Sequence, residues 1–322
     1  MAVFDLPLGT KPRPMGEALS IPRFEPTRLR ISDVTEAKPR VVAPRTRPFA
    51  VPNVRELDIH IDTAQAALWC FMRPQGPPSF TPSLLRELIA LRCALQEDEA
   101  HGGLRYFIGA SRLHGIYNLG GDLQHFVAMI RAQDRDSLRA YAFDCCDVAY
   151  HMAIGFNTPI LTIGLVQGDA LGGGFEGAMS FNILVAERSA RLGLPEVLFN
   201  LFPGMGAMSF LSRKIGLARA ERMILSGKIH TAEELYDMGV VDILAEDGEG
   251  EAEVRKFLGS GEARYRLHRA LAQARQRVSP VTFEELRDIT DIWVETAMQL
   301  SESDLRRMER LALAQRRRVE RS

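Results

Sequence analysis

Three consecutive glycines stand directly before a carboxylate in Gly172-Gly173-Gly174-Phe175-Glu176, and a second carboxylate follows 20 residues later in Leu192-Gly193-Leu194-Pro195-Glu196. Glycines at the mouth of a helix leave backbone N–H groups open, because no Cβ blocks an approaching ligand oxygen. Another pair, Gly120-Gly121, precedes Asp122 at a second helix start and exposes a further N–H. Two such donors can converge on one carbonyl oxygen and hold the charge that develops there, while two carboxylates move protons beside it. Reactions at the carbons α and β to a thioester carbonyl need this combination. Taken singly, each glutamate also has a structural reading. Glu176 suits the positive end of a helix dipole, and Glu196 after proline can cap another helix. The two glycine loops beside them favour chemistry.

Other chemistries find less support. Gly172, Gly174 and Gly177 satisfy the GxGxxG spacing of a dinucleotide site. The next strand pattern begins near Asn182, however, whereas a βαβ unit needs about 30 residues. Glu176 would also lie where a pyrophosphate should sit. No GK[ST] follows the glycines, and neither GxSxG nor HExxH occurs. The seven histidines are scattered, so no metal is expected, and one such as His151 reads as a packed or surface residue.

The elements that position these residues follow from pattern. Leu57 to Ile61 alternates, Ala67 to Met72 is apolar throughout, and Pro74-Gln75-Gly76-Pro77-Pro78 closes this strand pair. A helix opens at Ser83, and Arg105 to Gly109 reads as a strand. One long helix is expected from Asp122, with Leu123, Phe126, Val127 and Ile130 at helical spacing. Pro159 to Val166 is a buried-strand pattern running into the glycine triplet, and Asn182 to Ala186 is a shorter one. Thr231-Ala232-Glu233-Glu234 has capping-box spacing and starts a helix closed by Gly239. Beyond about residue 250 only helical patterns remain, ending in Arg316-Arg317-Arg318. The sequence therefore predicts an α/β core at 53–248 and a helical region at 249–322. Nine prolines within residues 1–52 predict a basic, flexible extension.

Composition bounds the function classes. The 322 residues carry a net charge of −1, which gives no general attraction to nucleic acid or anionic membrane. No run of about 18 apolar residues predicts a membrane span, and the N-terminus lacks the apolar core of a signal peptide. Cys70, Cys93, Cys145 and Cys146 make no CxxC pair and read as buried thiols, which points to a reducing, cytoplasmic setting.

Val166 to Glu176 resembles the active-site segment of the crotonase (enoyl-CoA hydratase/isomerase) superfamily. Leu192 to Glu196 is similar to its second carboxylate segment, and Tyr117 to Leu123 to its first oxyanion-hole loop. Thr231 to Asp242 resembles the helix and strand that follow. Within the superfamily the likeness is to bacterial synthases of the diffusible signal factor, a cis-2-unsaturated fatty acid. It is carried by Gly193 to Ala207 and by Ile292 to Leu300, and spans roughly residues 55–318.

The resemblance implies a crotonase fold, a spiral of repeated ββα units with a helical C-terminal trimerisation region. It implies Gly121 and Gly173 as backbone oxyanion-hole donors, with Glu176 and Glu196 as the proton-transfer pair. The implied substrate is a 3-hydroxyacyl thioester on the phosphopantetheine of acyl carrier protein, with coenzyme A as the other carrier and no further cofactor. One glutamate takes the α-proton and the other protonates the departing hydroxyl. Hydrolysis then frees the acid. Burial beside an acyl channel would raise at least one glutamate pKa. The cluster Leu198, Phe199, Leu201, Phe202, Met205 and Met208 is expected to wall that channel, or simply to pack the core. Implied partners are acyl carrier protein, the receiver domain of a sensor kinase, and further copies in a trimer or dimer of trimers. A coenzyme A hydratase of fatty-acid breakdown and a catalytically silent scaffold remain as alternatives.

Overall fold

The computed structural model describes residues 49–97 and 103–319. The chain divides into two units, Met1–Ala43 and Pro44–Ser322, and every described residue belongs to the second. All but the last four residues of the proline-rich extension lie outside the described residues.

The chain opens with β1 (Leu57–Asp62) and β2 (Ala67–Met72), then α1 (Pro82–Glu97), β3 (Tyr106–Ser111) and β4 (Ile116–Asn118). Two helices follow, α2 (Leu123–Arg131) and α3 (Arg135–Ala153), where one long helix was expected. Asp134 explains the break. Its side chain accepts from Ser137 N at 3.1 Å and caps a new helix, while Gln133 before it takes a φ of 53°. An aspartate that can reach the N–H three residues on starts a helix more readily than it continues one.

Next come β5 (Leu161–Val166), β6 (Asp169–Leu171), α4 (Gly173–Met179), β7 (Ile183–Glu187) and β8 (Arg191–Gly193). After a 3₁₀ turn, Pro195–Phe199, lie α5 (Ala207–Ile215), α6 (Leu217–Ser226), β9 (Ile229–Thr231), α7 (Ala232–Asp237) and β10 (Ile243–Ala245). Thr231 and Glu234 form the expected capping box. The last four helices are α8 (Gly250–Leu258), α9 (Glu262–Val278), α10 (Phe283–Ala297) and α11 (Glu302–Val319).

The strands form a six-stranded sheet, β1-β2-β3-β5-β7-β10, and a four-stranded sheet, β4-β6-β8-β9. Only the β1–β2 and β8–β9 pairs are antiparallel. From β3 onward a strand of the larger sheet is repeatedly followed by a short strand of the smaller one and then by helix. This repeat is the expected spiral of ββα units. The larger sheet is covered on both faces, which is why Ala67–Met72 is apolar throughout. Leu68, Cys70 and Met72 enter the main core with α1, α3 and α4. Ala67, Trp69 and Phe71 enter a second core under α8 and α9.

Candidate active site

The two glutamates leave the ends of neighbouring parallel strands. β6 pairs with β8 through Ala170↔Leu192 and Leu171↔Gly193, and Gly172 N donates to Gly193 O at 2.8 Å. Glu176 lies in the first turn of α4 after β6, and Glu196 in the 3₁₀ turn after β8. The 20-residue spacing is thus one circuit of the spiral. Gly172 has φ 53° and ψ −128°, and a Cβ there would lie 2.7 Å from Glu196 Oε1. Only glycine meets both conditions, since other residues at that backbone geometry are strained.

Four hydrogen bonds fix the Gly120-Gly121 loop. Asn118 Oδ1 accepts from Gly120 N at 2.8 Å, and Gly120 O accepts from Phe80 N at 2.8 Å. Asp122 N donates to the Tyr141 hydroxyl at 3.1 Å, and that hydroxyl donates to Phe80 O. A Cβ on Gly173 would lie 3.3 Å from Gly121 N, so the two glycine loops touch. Among the described residues neither the Gly121 nor the Gly173 N–H has a hydrogen-bond partner. Two free donors at the starts of α2 and α4 thus lie side by side on the border of the same cavities, the placement an oxyanion hole requires.

Both carboxyls are buried. Glu176 is 3% exposed, and its Oε1 accepts from Met205 N and Ala207 N, each at 2.9 Å. Burial pushes its pKa up to about 7 against those two bonds, which favour the anion. The Glu196 pKa rises to about 8, through burial first and the neighbouring Glu176 charge second. Its Oε2 is buried with no hydrogen-bond partner among the described residues. Both shifts run upward, so near neutral pH the pair keeps at least one proton between its two carboxyls, which lets an acid and a base act together.

Two cavities meet here. An outer one of about 280 Å³ touches both glutamates, and an inner one of about 60 Å³ touches only Glu176. Gly121, Gly173, Glu176 and Met205 border both. Of the residues expected to wall an acyl channel, Leu198, Phe199, Leu201 and Met205 line the outer cavity, Leu198 on its exposed rim. Phe202 and Met208 line neither cavity and pack against the main core instead. Sequence reasoning gave no role to Tyr141, to the inner lining beyond Gly121, Gly173, Glu176 and Met205, or to Trp293, although Trp293 lies in a stretch singled out for resemblance. The inner lining carries no sequence signal, because it is ordinary apolar residues that happen to leave space.

Cys70 and Cys146 are buried, Cys93 and Cys145 half-buried, and all four are free. Burial pushes the Cys70 and Cys146 thiols up to about 12. Among the described residues no cluster of three potential metal ligands occurs, and no helix is long and apolar enough to cross a membrane. His151 sits against Asp147 and borders neither of these cavities.

The family model for enoyl-CoA hydratase/isomerase matches residues 64–275. The chain belongs to that family. It is 32% identical over 187 residues to methylglutaconyl-CoA hydratase of Rattus norvegicus, covering 58% of this chain and 56% of the relative. The chain spans about half the length of such curated relatives. Among solved structures, enoyl-CoA hydratase from Bacillus halodurans aligns with a TM-score of 0.67 at 20% identity, covering 80% of this chain and all of that one. Pseudomonas aeruginosa DspI aligns with a TM-score of 0.59 at 21% identity, covering 71% of this chain and 84% of that one. These two likenesses concern the fold. Within the enoyl-CoA hydratase/isomerase family match, α10 and α11 are missing, since both begin after residue 275. Yet Trp293, Leu311, Ala314 and Gln315 from those helices wall the outer cavity.

Proposed function

We propose that this enzyme moves water and protons at Cα and Cβ of an acyl thioester, and that it is a diffusible signal factor synthase. The observation that carries the chemistry is the meeting of two unpartnered glycine N–H groups with two buried carboxyls of raised pKa. A 3-hydroxyacyl thioester would place its carbonyl oxygen between Gly121 N–H and Gly173 N–H. The ionised glutamate takes the α-proton, the electrons move onto the held oxygen, and the protonated glutamate gives its proton to the 3-hydroxyl, which leaves as water. The product is a 2-enoyl thioester. In a second step water attacks the thioester carbon and the carrier thiol departs, leaving the free acid. The same two N–H groups hold the tetrahedral oxyanion.

The finer reading is supported by where its two marker stretches lie. Gly204, in the first, packs directly on the Trp293 ring of the second, and Gly204 O accepts from Thr290 Oγ1 at 2.8 Å. Met205 and Trp293 then line the outer cavity together. This reading takes in an acyl carrier protein substrate in the cytoplasm and restraint by a receiver domain. It also takes in assembly as a trimer or dimer of trimers, to which the exposed stripe Leu267, Leu271 and Val278 on α9 lends an apolar face.

The second reading, a hydratase of coenzyme A thioesters, is favoured by the 32% identity to methylglutaconyl-CoA hydratase. Matched 3-hydroxyacyl substrates on acyl carrier protein and on coenzyme A separate the two, with released acid identified by mass spectrometry. Free cis-2-enoic acid from the carrier-protein substrate is expected. Preference for coenzyme A, with reversible trans hydration and no free acid, would overturn the synthase reading in favour of the hydratase.

A further inference from the structure

A separate cavity of about 260 Å³ lies between α6, β9 and the ends of α5 and α7, and shares no lining residue with the two active-site cavities. Arg219, Arg222, Met223 and Ser226 line it from one face of α6, at spacings of three and four residues. Ile215 and Met238 extend the apolar wall, and no carboxylate borders the space.

The two arginines are exposed and unpaired. Arg131, Arg139, Arg188 and Arg213 each meet a carboxylate, whereas among the described residues neither the Arg219 nor the Arg222 guanidinium has an ion-pair or hydrogen-bond partner. Like charges one helical turn apart repel, and Arg219, in the first turn of α6, also stands at the positive end of the helix dipole. A bound anion would relieve both penalties. His230 shares the lining and is 7% exposed. Its Nδ1 faces Glu234 Oε2 at 3.2 Å, while Nε2 is buried with no partner among the described residues. Buried polar atoms are nearly always paired, so this nitrogen marks a place for one more polar group.

The remaining wall is hydrocarbon, from Ile215, Met223, Met238 and the arginine stems. At about 30 Å³ per water the cavity holds about nine water-sized groups, several more than a small inorganic anion fills. We propose that this cavity is a second ligand site, which takes a free aliphatic carboxylate with its head on Arg219 and Arg222 and its chain against Ile215, Met223 and Met238. The planar guanidinium forks match a carboxylate with paired hydrogen bonds. A ligand with a polar body would lose water partners against the apolar wall, a cost that a hydrocarbon chain does not incur. Hydrolysis of an acyl thioester releases a ligand of this class, yet the site fills without turnover.

Isothermal titration of the full chain with octanoate tests the site, comparing the wild type with Arg219→Ala/Arg222→Ala and Arg219→Lys/Arg222→Lys. Both side chains are exposed and bond to nothing, so neither double variant should lose melting temperature or turnover of an accepted thioester. The wild type is expected to show a class of octanoate sites whose affinity falls at least about tenfold in the alanine variant, the scale of lost hydrogen bonds between charged groups. The lysine variant should fall between the two. Octanol, which has the chain without the charge, should bind the wild type and the alanine variant alike. Superposing octanoate isotherms for the wild type and the alanine variant, or no octanoate binding by the wild type, would overturn the assignment. So would an equal loss of octanol binding, since the charge would then be irrelevant. Inorganic phosphate that binds as tightly as octanoate, and is lost in the same variant, would make this a bare-anion site and overturn the aliphatic occupant.

Discussion

Replacing Tyr141 by phenylalanine tests whether the Gly121 donor is held in place by a side chain that never touches substrate. Tyr141 is 4% exposed and packs edge-on against Phe126 at 5.2 Å between ring centroids, packing that phenylalanine keeps. Only the hydroxyl is lost. Asp122 N–H and Phe80 C=O then lose their shared partner, and both flank the loop, since Phe80 N also ties down Gly120 O. Leaving a buried donor or acceptor unpaired costs about 1–3 kcal/mol, so the melting temperature should fall by several degrees. The catalytic effect is separate. Complete loss of an oxyanion donor costs about 10²–10³ in kcat, and a loosened loop should lose part of that, about tenfold to hundredfold. Because the donor matters most when charge is on the oxygen, KM should change little. Steady-state kinetics on any accepted acyl thioester, beside a thermal melt, reads both quantities. A lower melting temperature with unchanged kcat would make Tyr141 a packing residue and refute the positioning role.

Activity should follow a narrow bell in pH. It should fall below about 7, where the carboxylate base becomes protonated, and above about 8, where the remaining acid loses its proton. A kcat profile flat from pH 5 to 9 would contradict the shared-proton arrangement. Glu196→Gln should lose activity yet gain stability. A carboxyl whose folded pKa is raised supports the fold below its unfolded pKa, and that support is lost as pH rises to about 8. The variant should therefore melt above the wild type at pH 8 and converge with it toward pH 4. Gly172→Ala should destabilise by about 1–3 kcal/mol, from its positive φ and its 2.7 Å approach to Glu196 Oε1, with loss of turnover. Urea denaturation and initial rates check it.

Much of this site is legible in sequence because its backbone geometry demands particular residues. Gly172 faces a carboxylate, and Asp122 and Thr231 cap the helices that begin beside them. The long strands of the larger sheet announce themselves by apolar runs. The strands β4, β6, β8 and β9 do not, because three residues carry no periodicity. Those short strands are what set Glu176 beside Glu196, so the meeting of the pair is a tertiary fact. The same holds for Tyr141, which reaches the Phe80 carbonyl across 61 residues of chain, and for Trp293, which arrives from α10. The break at Gln133 is hidden in sequence because Arg131 to Ser137 holds no large apolar residue to mark a core face, and there a capping side chain competes with helix continuation.

Deuterium exchange at Cα asks whether this site removes an α-proton at all. A saturated acyl thioester incubated with the protein in D₂O has no 3-hydroxyl to lose, so exchange reports only proton removal and charge held on the carbonyl oxygen. Enzyme-dependent incorporation of deuterium at Cα is expected, seen by mass spectrometry and abolished when Glu176 and Glu196 are both replaced by glutamine. Equal incorporation by the wild type and the doubly substituted protein would contradict proton transfer by this pair.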